Sequence, residues 1–304
     1  MGMDLWFSEL HTPNFHVRVK VRQTLEFKRT PYQELAVLDT LEFGRMLVLD
    51  GIVQTTEADE FIYHEMIAHV PLFAHGRPEK VLIIGGGDGG AVREVLRHET
   101  VQRVDHVEID EAVCEACRRW LPTLSSALDD PRVSQHFTDG IEFVRRVAEE
   151  DGPTYDVIIV DSTDPIGPAV GLFGPAFYRN ARKALRPGGV LTVQSESPWF
   201  TKQAMLRSYK GMSRSFPMVR LYTAHVPTYS TFAWSFTIGT DGADPAAADV
   251  PDPLPFETGY YTPALHRACF ALPAFIERLL EAPEPEELKR QLDEEMNRAG
   301  GEGS

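Results

Sequence analysis

The sequence has few of the features that mark secreted, membrane and nucleic-acid-binding proteins. Its 304 residues include only three cysteines, too few for a disulfide framework. No apolar run is long enough to span a bilayer, and the first residues lack the basic start and apolar core of a signal peptide. Lysine and arginine number 30 against 45 aspartate and glutamate, and the formal net charge of −15 disfavours nucleic acid. We therefore expect a cytoplasmic protein with neither a membrane nor a nucleic-acid partner.

Clusters of metal ligands are equally scarce. Cys114 and Cys117 form a CxxC motif, but they lie in a polar helical stretch without a second ligand pair. His64 and His69 are five residues apart, and this spacing turns their side chains about 140° away from each other on a helix. We therefore predict no zinc site, no redox pair and no other metal.

The first 76 residues are predicted to form a small antiparallel β domain followed by a connecting helix. Apolar and polar residues alternate in this region with the period of two that is typical of half-buried strands. The helix is expected over 59–75, and Gly76-Arg77-Pro78 ends it. Strands are expected at 15–21, 25–29, 33–39, 46–49 and 52–55.

After this break the pattern changes to short apolar strands that alternate with helices. This alternation predicts an α/β domain over 77–282, with a Rossmann-like, mostly parallel sheet, helices on both faces and an antiparallel C-terminal edge. The charged tail over 283–304 is compatible with an amphipathic helix or with disorder. Strands are expected at 80–84, 103–109, 132–137, 155–161, 189–195, 218–225 and 232–239, and helices near 90–98, 111–120, 140–149, 176–186 and 201–215.

The run Gly85-Gly86-Gly87-Asp88-Gly89-Gly90 lies between the first of these strands and its helix. Glycines at 85, 87 and 90 are typical of a nucleotide-binding turn, in which the backbone approaches the ligand closely. In a dinucleotide site that turn holds a pyrophosphate, which Asp88 would repel. Two like charges about 4 Å apart cost about 4 kcal/mol at an effective dielectric of about 20. Asp88 therefore favours a cationic group, such as an adenosyl sulfonium that carries an amine, over a nicotinamide dinucleotide.

Carboxylates follow the carboxyl ends of the predicted parallel strands. Because these ends meet at one edge of the sheet, the side chains are expected to share a cleft. Glu108 stands twenty positions beyond Asp88, where an acidic residue commonly holds ribose hydroxyls. Any single carboxylate is also compatible with a helix cap, but capping does not explain the whole set. The set comprises Asp88, Glu108, Asp139, Asp161, Asp164 and Glu196.

Such a cleft suits a dicationic amine, because each ammonium must be paired when it leaves water. An amine that attacks a carbon must also lose a proton, and its free pKa is about 10. A carboxylate in a desolvated pocket can take that proton while the carbon–nitrogen bond forms. A sulfonium is already activated and leaves as a neutral thioether, so no cofactor is expected. The predicted reaction is an SN2 alkyl transfer from sulfonium to amine.

Five segments together resemble the polyamine aminopropyltransferase family. The resemblance covers about Leu5 to Leu280 and implies a fold of the S-adenosylmethionine-dependent transferase type. It also implies decarboxylated S-adenosylmethionine as aminopropyl donor, putrescine as acceptor, spermidine and methylthioadenosine as products, and a homodimer or homotetramer. The segments are Leu49 to Gln54, Asp59 to Met66, Gly85 to Gly90, Asp161 to Pro165, and Pro227 to Tyr229.

Carried over position by position, the resemblance implies a full set of site residues. Asp161 would accept the proton, and Tyr63 and Tyr229 would orient the amine in its groove. Asp88 would also select against intact S-adenosylmethionine, whose carboxylate it repels. The donor would be held by Gln33, Gln54, Gly85, Gly87, Asp88, Glu108, Asp139, Gly140 and Pro168. The amine would be held by His64, Asp88, Asp161, Ser162, Asp164 and Glu196.

The chain departs from the family pattern directly after Tyr229. The family usually has a proline and then a glycine there, whereas this chain has Ser230, Thr231 and Phe232. The acceptor therefore stays open, with cadaverine, agmatine and spermidine as alternatives to putrescine. A methyltransferase or a nicotinamide oxidoreductase would fit the glycine run but not the carboxylates. A non-catalytic polyamine-binding protein would not need both Asp161 and Tyr229.

Several other side chains are interpreted as structural. Trp199 and Trp234 are expected in the core rather than in the site. Arg93, Arg97 and His98 follow the glycine run and are expected on a solvated helix face.

Overall fold

The computed structural model describes residues 4–163, 171–229 and 233–301. Its N-terminal part consists of the strands β1 Leu5–Thr12, β2 Phe15–Arg29, β3 Glu34–Thr40, β4 Arg45–Leu49 and β5 Ile52–Thr56. They form one five-stranded sheet in the order β1-β2-β3-β4-β5, and all of its pairings are antiparallel. The predicted small antiparallel sheet is thereby confirmed.

Two details of this sheet differ from the sequence prediction. Strand β1 was not expected, because its apolar residues Leu5, Trp6 and Phe7 are adjacent and do not alternate with polar ones. The segments 15–21 and 25–29 belong to the single strand β2. The chain bulges twice near Gln23 and Thr24 and then continues, so the polar residues there do not form a turn.

The second sheet contains the strands β6 Lys80–Gly85, β7 Arg103–Glu108, β8 Val133–Phe137, β9 Tyr155–Asp161, β10 Leu185–Gln194, β11 Met218–Ala224 and β12 Trp234–Thr240. Their order is β11-β12-β10-β9-β6-β7-β8. The pairings among β6 to β10 are parallel, whereas β12 is antiparallel to both of its neighbours. The mostly parallel sheet and its antiparallel C-terminal edge are confirmed.

Helices cover both faces of this sheet. Alternate residues of β6 and β9 enter two different cores, because successive side chains of a strand point to opposite faces. Val81, Ile83 and Val157 pack with α1 Glu60–His75 and α2 Gly90–Val95. Leu82, Ile84 and Ile158 pack on the other side with α5 Gly140–Arg146 and α6 Pro175–Ala184. The helices after α2 are α3 Glu111–Trp120, α4 Pro122–Ser125, α5 Gly140–Arg146, α6 Pro175–Ala184, α7 Lys202–Ser213, α8 Pro263–Ala268, α9 Ala274–Glu281 and α10 Glu286–Gly301.

The N-terminal sheet packs on α3 and is thereby placed over the edge of the second sheet. Leu35, Leu47 and Leu49 share an apolar cluster with α3. Trp120 at the end of that helix donates its indole N–H to Glu26 Oε2 at 2.7 Å. The space between the two sheets therefore opens at the carboxyl ends of the parallel strands.

Cys114 and Cys117 belong to the packed side of α3. Both thiols are buried, and burial raises their pKa above the ordinary value, which keeps them protonated. Within the described ranges, no group of histidine, cysteine and carboxylate side chains is arranged to hold a metal ion.

The charged tail is helical as α10, which is one of the two alternatives that the sequence left open. Leu292 is fully buried, and Asp293 pairs with Arg214 at 3.1 Å. None of the helices in the described part of the chain has both the length and the apolar character needed to cross a bilayer.

Candidate active site

A cavity of about 640 Å³ lies between the two sheets, at the carboxyl ends of β6, β7 and β9. Its volume is that of an ordinary small-molecule site. Asp164 and Pro168 lie outside the described residues, as do Ser230, Thr231 and Phe232. All other predicted site residues line this cavity: Gln33, Gln54, Tyr63, His64, Gly85, Gly87, Asp88, Glu108, Asp139, Gly140, Asp161, Ser162, Glu196 and Tyr229.

The glycine turn is packed closely against other side chains of the site. Gly86 N–H donates to the backbone oxygen of Asp161 at 2.7 Å, and a Cβ on Gly85 would lie 2.2 Å from that oxygen. A Cβ on Gly90 would lie 2.3 Å from the ring of His64. The space that these glycines leave is therefore filled first by the protein itself, and the turn brings Asp88 next to Asp161 and His64.

Asp161 ends β9 and is held by one of its two carboxylate oxygens. Tyr63 donates its hydroxyl hydrogen to Asp161 Oδ1 at 2.7 Å. Asp161 Oδ2 is buried and has no hydrogen-bond partner within the described residues. Burial, together with the negative charge of Asp88, raises the pKa of Asp161 to about 6. One oxygen is thus fixed, while the other remains able to accept a proton.

His64 lies between two carboxylates. Its Nδ1 is 2.5 Å from Glu60 Oε2, and its Nε2 is 3.3 Å from Asp88 Oδ1. Burial alone would favour the neutral ring, but the charges of Asp88 and Glu60 outweigh it and raise the pKa of His64 well above its ordinary value. The same ion pair outweighs burial at Asp88 and lowers the pKa of that carboxyl. The structure therefore contains an imidazolium–carboxylate pair at this wall of the cavity.

Glu108 and its neighbours form the wall beside β7. Glu108 Oε1 accepts from the backbone N–H of Asp110 at 2.9 Å. Burial, reinforced by the charges of Asp110 and Asp161, raises the pKa of Glu108 to about 7. Gln33 reaches across from the N-terminal sheet and donates to Asp110 Oδ2 at 2.9 Å. Asp139 accepts from Ile141 N–H at 2.7 Å, so it caps α5 while it lines the cavity.

Aromatic rings form a further wall of the cavity, next to Asp161. The Tyr229 hydroxyl donates to the backbone oxygen of Gln54 in the N-terminal sheet. The rings of Tyr63 and Tyr229 meet edge to face at 5.8 Å between centroids. Asp59 holds the same loop in place, because its Oδ2 accepts from Thr228 N–H at 2.6 Å. The result is a fixed aromatic groove that leads to Asp161.

Sequence reasoning missed several residues of the cavity. Trp234 was assigned to the core, but it lines the cavity and packs on Tyr229 at 4.6 Å between ring centroids. Glu9 is 7% exposed and His11 stacks on Phe200, and both enter the cavity from β1. These two were missed together with their strand β1.

Two family models match this chain. The spermine/spermidine synthase domain matches residues 60–247. The spermidine synthase tetramerisation domain matches residues 5–57. Together they cover both sheets and the cavity between them.

Relatives and solved structures agree with these matches. The chain is 52% identical over 283 residues to the polyamine aminopropyltransferase of Moorella thermoacetica, covering 93% of this chain and 99% of that protein. It is 49% identical over 279 residues to that of Thermoanaerobacter sp., covering 92% and 99%. A crystal structure of spermidine synthase in complex with the transition state analogue AdoDATO superposes with a TM-score of 0.87 at 38% identity, covering 91% of this chain and 94% of that one. The spermidine synthase from Thermotoga maritima gives a TM-score of 0.86 at the same identity and coverage.

Proposed function

Because this chain belongs to the spermine/spermidine synthase family, and its curated relatives are named polyamine aminopropyltransferases, we propose that it transfers the aminopropyl group of decarboxylated S-adenosylmethionine to putrescine. The products are spermidine and methylthioadenosine. The observation that carries the proposal is the Asp161 carboxylate, which has one oxygen bound to Tyr63 and the other buried at the cavity. We propose Asp161 as the general base.

The donor is placed by the walls around the glycine turn. Glu108 accepts hydrogen bonds from the ribose hydroxyls, and Asp139 with Gly140 faces the adenine. Asp88 pairs with the ammonium of the aminopropyl chain and disfavours the carboxylate of the intact donor, because like charges in a buried site repel strongly. Pro168, predicted to contact the thioadenosine, lies outside the described residues.

The reaction is a single displacement. The acceptor nitrogen gives its lone pair to the aminopropyl carbon, the carbon–sulfur bond breaks, and its electron pair remains on sulfur as a neutral thioether. The proton of the attacking amine passes to Asp161 as the carbon–nitrogen bond forms. The pKa of Asp161, about 6, leaves the carboxylate ionised at neutral pH. The sulfonium itself supplies the leaving group, so we propose that neither a metal nor a cofactor takes part.

The acceptor lies in the aromatic groove with one ammonium at each end. The attacking end is next to Asp161 and lies against the touching rings of Tyr63 and Tyr229. Glu196 and Glu9 are both buried carboxylates of the cavity wall and suit the distal ammonium. A cation with charges at both ends fits this arrangement, and we propose putrescine with Ser162 and Asp164 as further amine contacts. His64, predicted as an amine contact, is a cation between two carboxylates and acts through Asp88 instead.

The assembly is a homo-oligomer that uses the N-terminal sheet. That sheet matches a tetramerisation domain and exposes large apolar side chains. Leu5, Trp6 and Phe27 are each more than 40% exposed, which is typical of a surface that is covered in an assembly. We propose a homodimer or a homotetramer.

The test supplies the decarboxylated donor with putrescine, cadaverine, agmatine or spermidine and measures release of methylthioadenosine. The expected result is the highest kcat/KM for putrescine. A higher kcat/KM for another amine would identify that amine as the acceptor and leave the proposed type of reaction unchanged. Binding of amines without release of methylthioadenosine would favour a non-catalytic polyamine-binding protein and overturn the proposal.

A further inference from the structure

Arg93 in α2 does not lie on the solvated face where the sequence analysis placed it. Its side chain is 21% exposed and bridges two buried carboxylates. Arg93 Nη2 donates to Glu60 Oε2 at 2.9 Å, and Nε donates to Glu94 Oε1 at 2.8 Å. The expectation was wrong because α2 packs on α1, so its first turns face a helix instead of water. His98 is likewise buried, at 7% exposure.

Arg93 contacts the same Glu60 oxygen that lies next to His64 in the cavity wall. Glu60 Oε2 lies 2.5 Å from His64 Nδ1, and the opposite ring nitrogen lies 3.3 Å from Asp88 Oδ1. The ring also packs directly on the backbone of Gly90. A continuous series of alternating charges therefore runs from Asp88 through His64 and Glu60 to Arg93.

We propose that Glu60 and Arg93 are positioning residues for the amine end of the cavity: Arg93 fixes the Glu60 carboxylate, and Glu60 holds His64 as a cation whose Nε2–H points at Asp88. This inference rests on the proposed function, in which Asp88 selects the donor. Neither residue lines the cavity, so both act through His64.

Carboxylates on several elements surround His64 and favour its cationic form. Glu60 on α1 and Asp88 in the glycine turn contact it directly, while Asp161 on β9 lies further away and also carries a negative charge. Arg93 on α2 is the opposing positive charge and is bound to Glu60. These carboxylates outweigh the desolvation of the ring, which explains the raised pKa of His64.

The consequence concerns the orientation of Asp88. A doubly protonated ring donates from both nitrogens, so Glu60 and Asp88 are held at the same time. A neutral ring keeps only one N–H, and the other nitrogen would present a lone pair to a carboxylate. Loss of the Glu60 charge would therefore loosen Asp88 even though Glu60 is remote from the donor.

The experiment compares Arg93→Met, Arg93→Lys and Glu60→Gln with Arg97→Met as matched control. Arg97 lies four residues beyond Arg93, just past the end of α2, and also pairs with Glu94, at 2.9 Å, but the described structure places no contact between it and Glu60. One readout is the nitrogen-15 spectrum of the His64 ring in the substrate-free protein, assigned with His64→Asn. The other is kcat/KM for the decarboxylated donor, with the dissociation constant of methylthioadenosine as reference.

In Arg93→Met, kcat/KM should fall about tenfold, the loss expected for one charge-assisted hydrogen bond. The kcat/KM of Arg93→Lys should lie between those of Arg93→Met and the unmodified protein, and that of Arg97→Met should equal that of the unmodified protein. The affinity for methylthioadenosine should not change in any of these variants. In Glu60→Gln, the pH at which His64 loses its proton should fall by about one unit or more.

Equal losses in Arg93→Met and Arg97→Met, or an unshifted His64 titration in Glu60→Gln, would overturn the inference. If Arg93→Met does not fold, Arg93→Lys and Glu60→Gln decide the result in the same way. The His64 titration needs no substrate, so it distinguishes failure of this inference from failure of the proposed reaction.

Discussion

The Tyr63 hydroxyl donates to Asp161 Oδ1 at 2.7 Å across the boundary between the connecting helix and the end of β9. The two residues are 98 positions apart in the chain. Tyr63 stays protonated because burial and the charge of Asp161 raise its pKa well above the ordinary value. The bond therefore keeps its direction and fixes the rotation of the carboxylate.

Tyr63→Phe tests this bond. The variant should lower kcat about tenfold, because Asp161 loses a charge-assisted hydrogen bond and its orientation. The bond to Tyr63 lowers the pKa of Asp161, so its loss should also move the acid limb of the pH–rate profile to higher pH. Tyr222→Phe removes a buried hydroxyl that binds Met66 O at 3.1 Å, and it should leave the profile in place. An identical profile in both variants would exclude this role for Tyr63.

Asp88→Asn tests donor selection. The unmodified protein should prefer the decarboxylated donor, and the variant should lose about tenfold or more of that preference, because one buried charge contact is removed. The measurement is the ratio of dissociation constants for the decarboxylated and intact donors by calorimetry. Asp139→Asn, which alters a capping carboxylate of the same cavity, should leave the ratio unchanged. An unaltered ratio in Asp88→Asn would show that selection lies elsewhere.

Titration of Glu108 should make the affinity for the nucleoside depend on pH. Its raised pKa of about 7 means that the carboxylate is partly protonated at neutral pH. Ribose hydroxyls donate to the ionised form, so methylthioadenosine should bind more tightly as the pH rises from 6 to 8. Methylthioadenosine does not change charge in this range, so the change belongs to the protein. Glu108→Gln should remove the dependence, and a persistent slope in that variant would assign it to another group.

The ionised carboxylate of Asp161 should also destabilise the folded protein. Its folded-state pKa of about 6 lies above the ordinary value of 3.8, so the folded protein binds this proton more tightly than the unfolded chain does. This loss of folding stability is complete well above pH 6 and disappears as the pH falls from about 6 to 3.8. Asp161→Asn should therefore raise Tm by a few degrees at pH 8 and by less at pH 5.

Asp156 provides the opposite control on the same strand. The backbone N–H groups of Glu79 and Lys80 and the side chain of Arg186 outweigh its burial and lower its pKa. Asp156→Asn should therefore lower Tm at pH 8. A shift of the same sign in both variants would contradict the assignment of Asp161.

Much of the architecture followed from the sequence because it depends on local patterns. The buried runs of β6 and β9 and the glycine turn predicted the parallel sheet and the edge where Asp88, Glu108 and Asp161 meet. The rule that parallel strands end at one edge is sufficient to bring these residues together.

The parts that were missed depend on contacts between distant segments. Glu9 and His11 reach the cavity only because the N-terminal sheet packs on α3. Arg93 is half-buried because α2 meets α1, and the sequence of so short a helix does not reveal which carboxylate an arginine pairs with. The glycines were interpreted as space for a ligand, whereas the distances show that Asp161 and His64 occupy much of it.

The role of Asp161 as general base is tested by a single-turnover measurement on Asp161→Asn with the decarboxylated donor and putrescine. Formation of methylthioadenosine should slow at least about a hundredfold, the contribution of a general base, while the dissociation constant of methylthioadenosine stays within about twofold. A rate close to that of the unmodified protein would contradict the assignment of Asp161 as the group that removes the proton from the attacking amine.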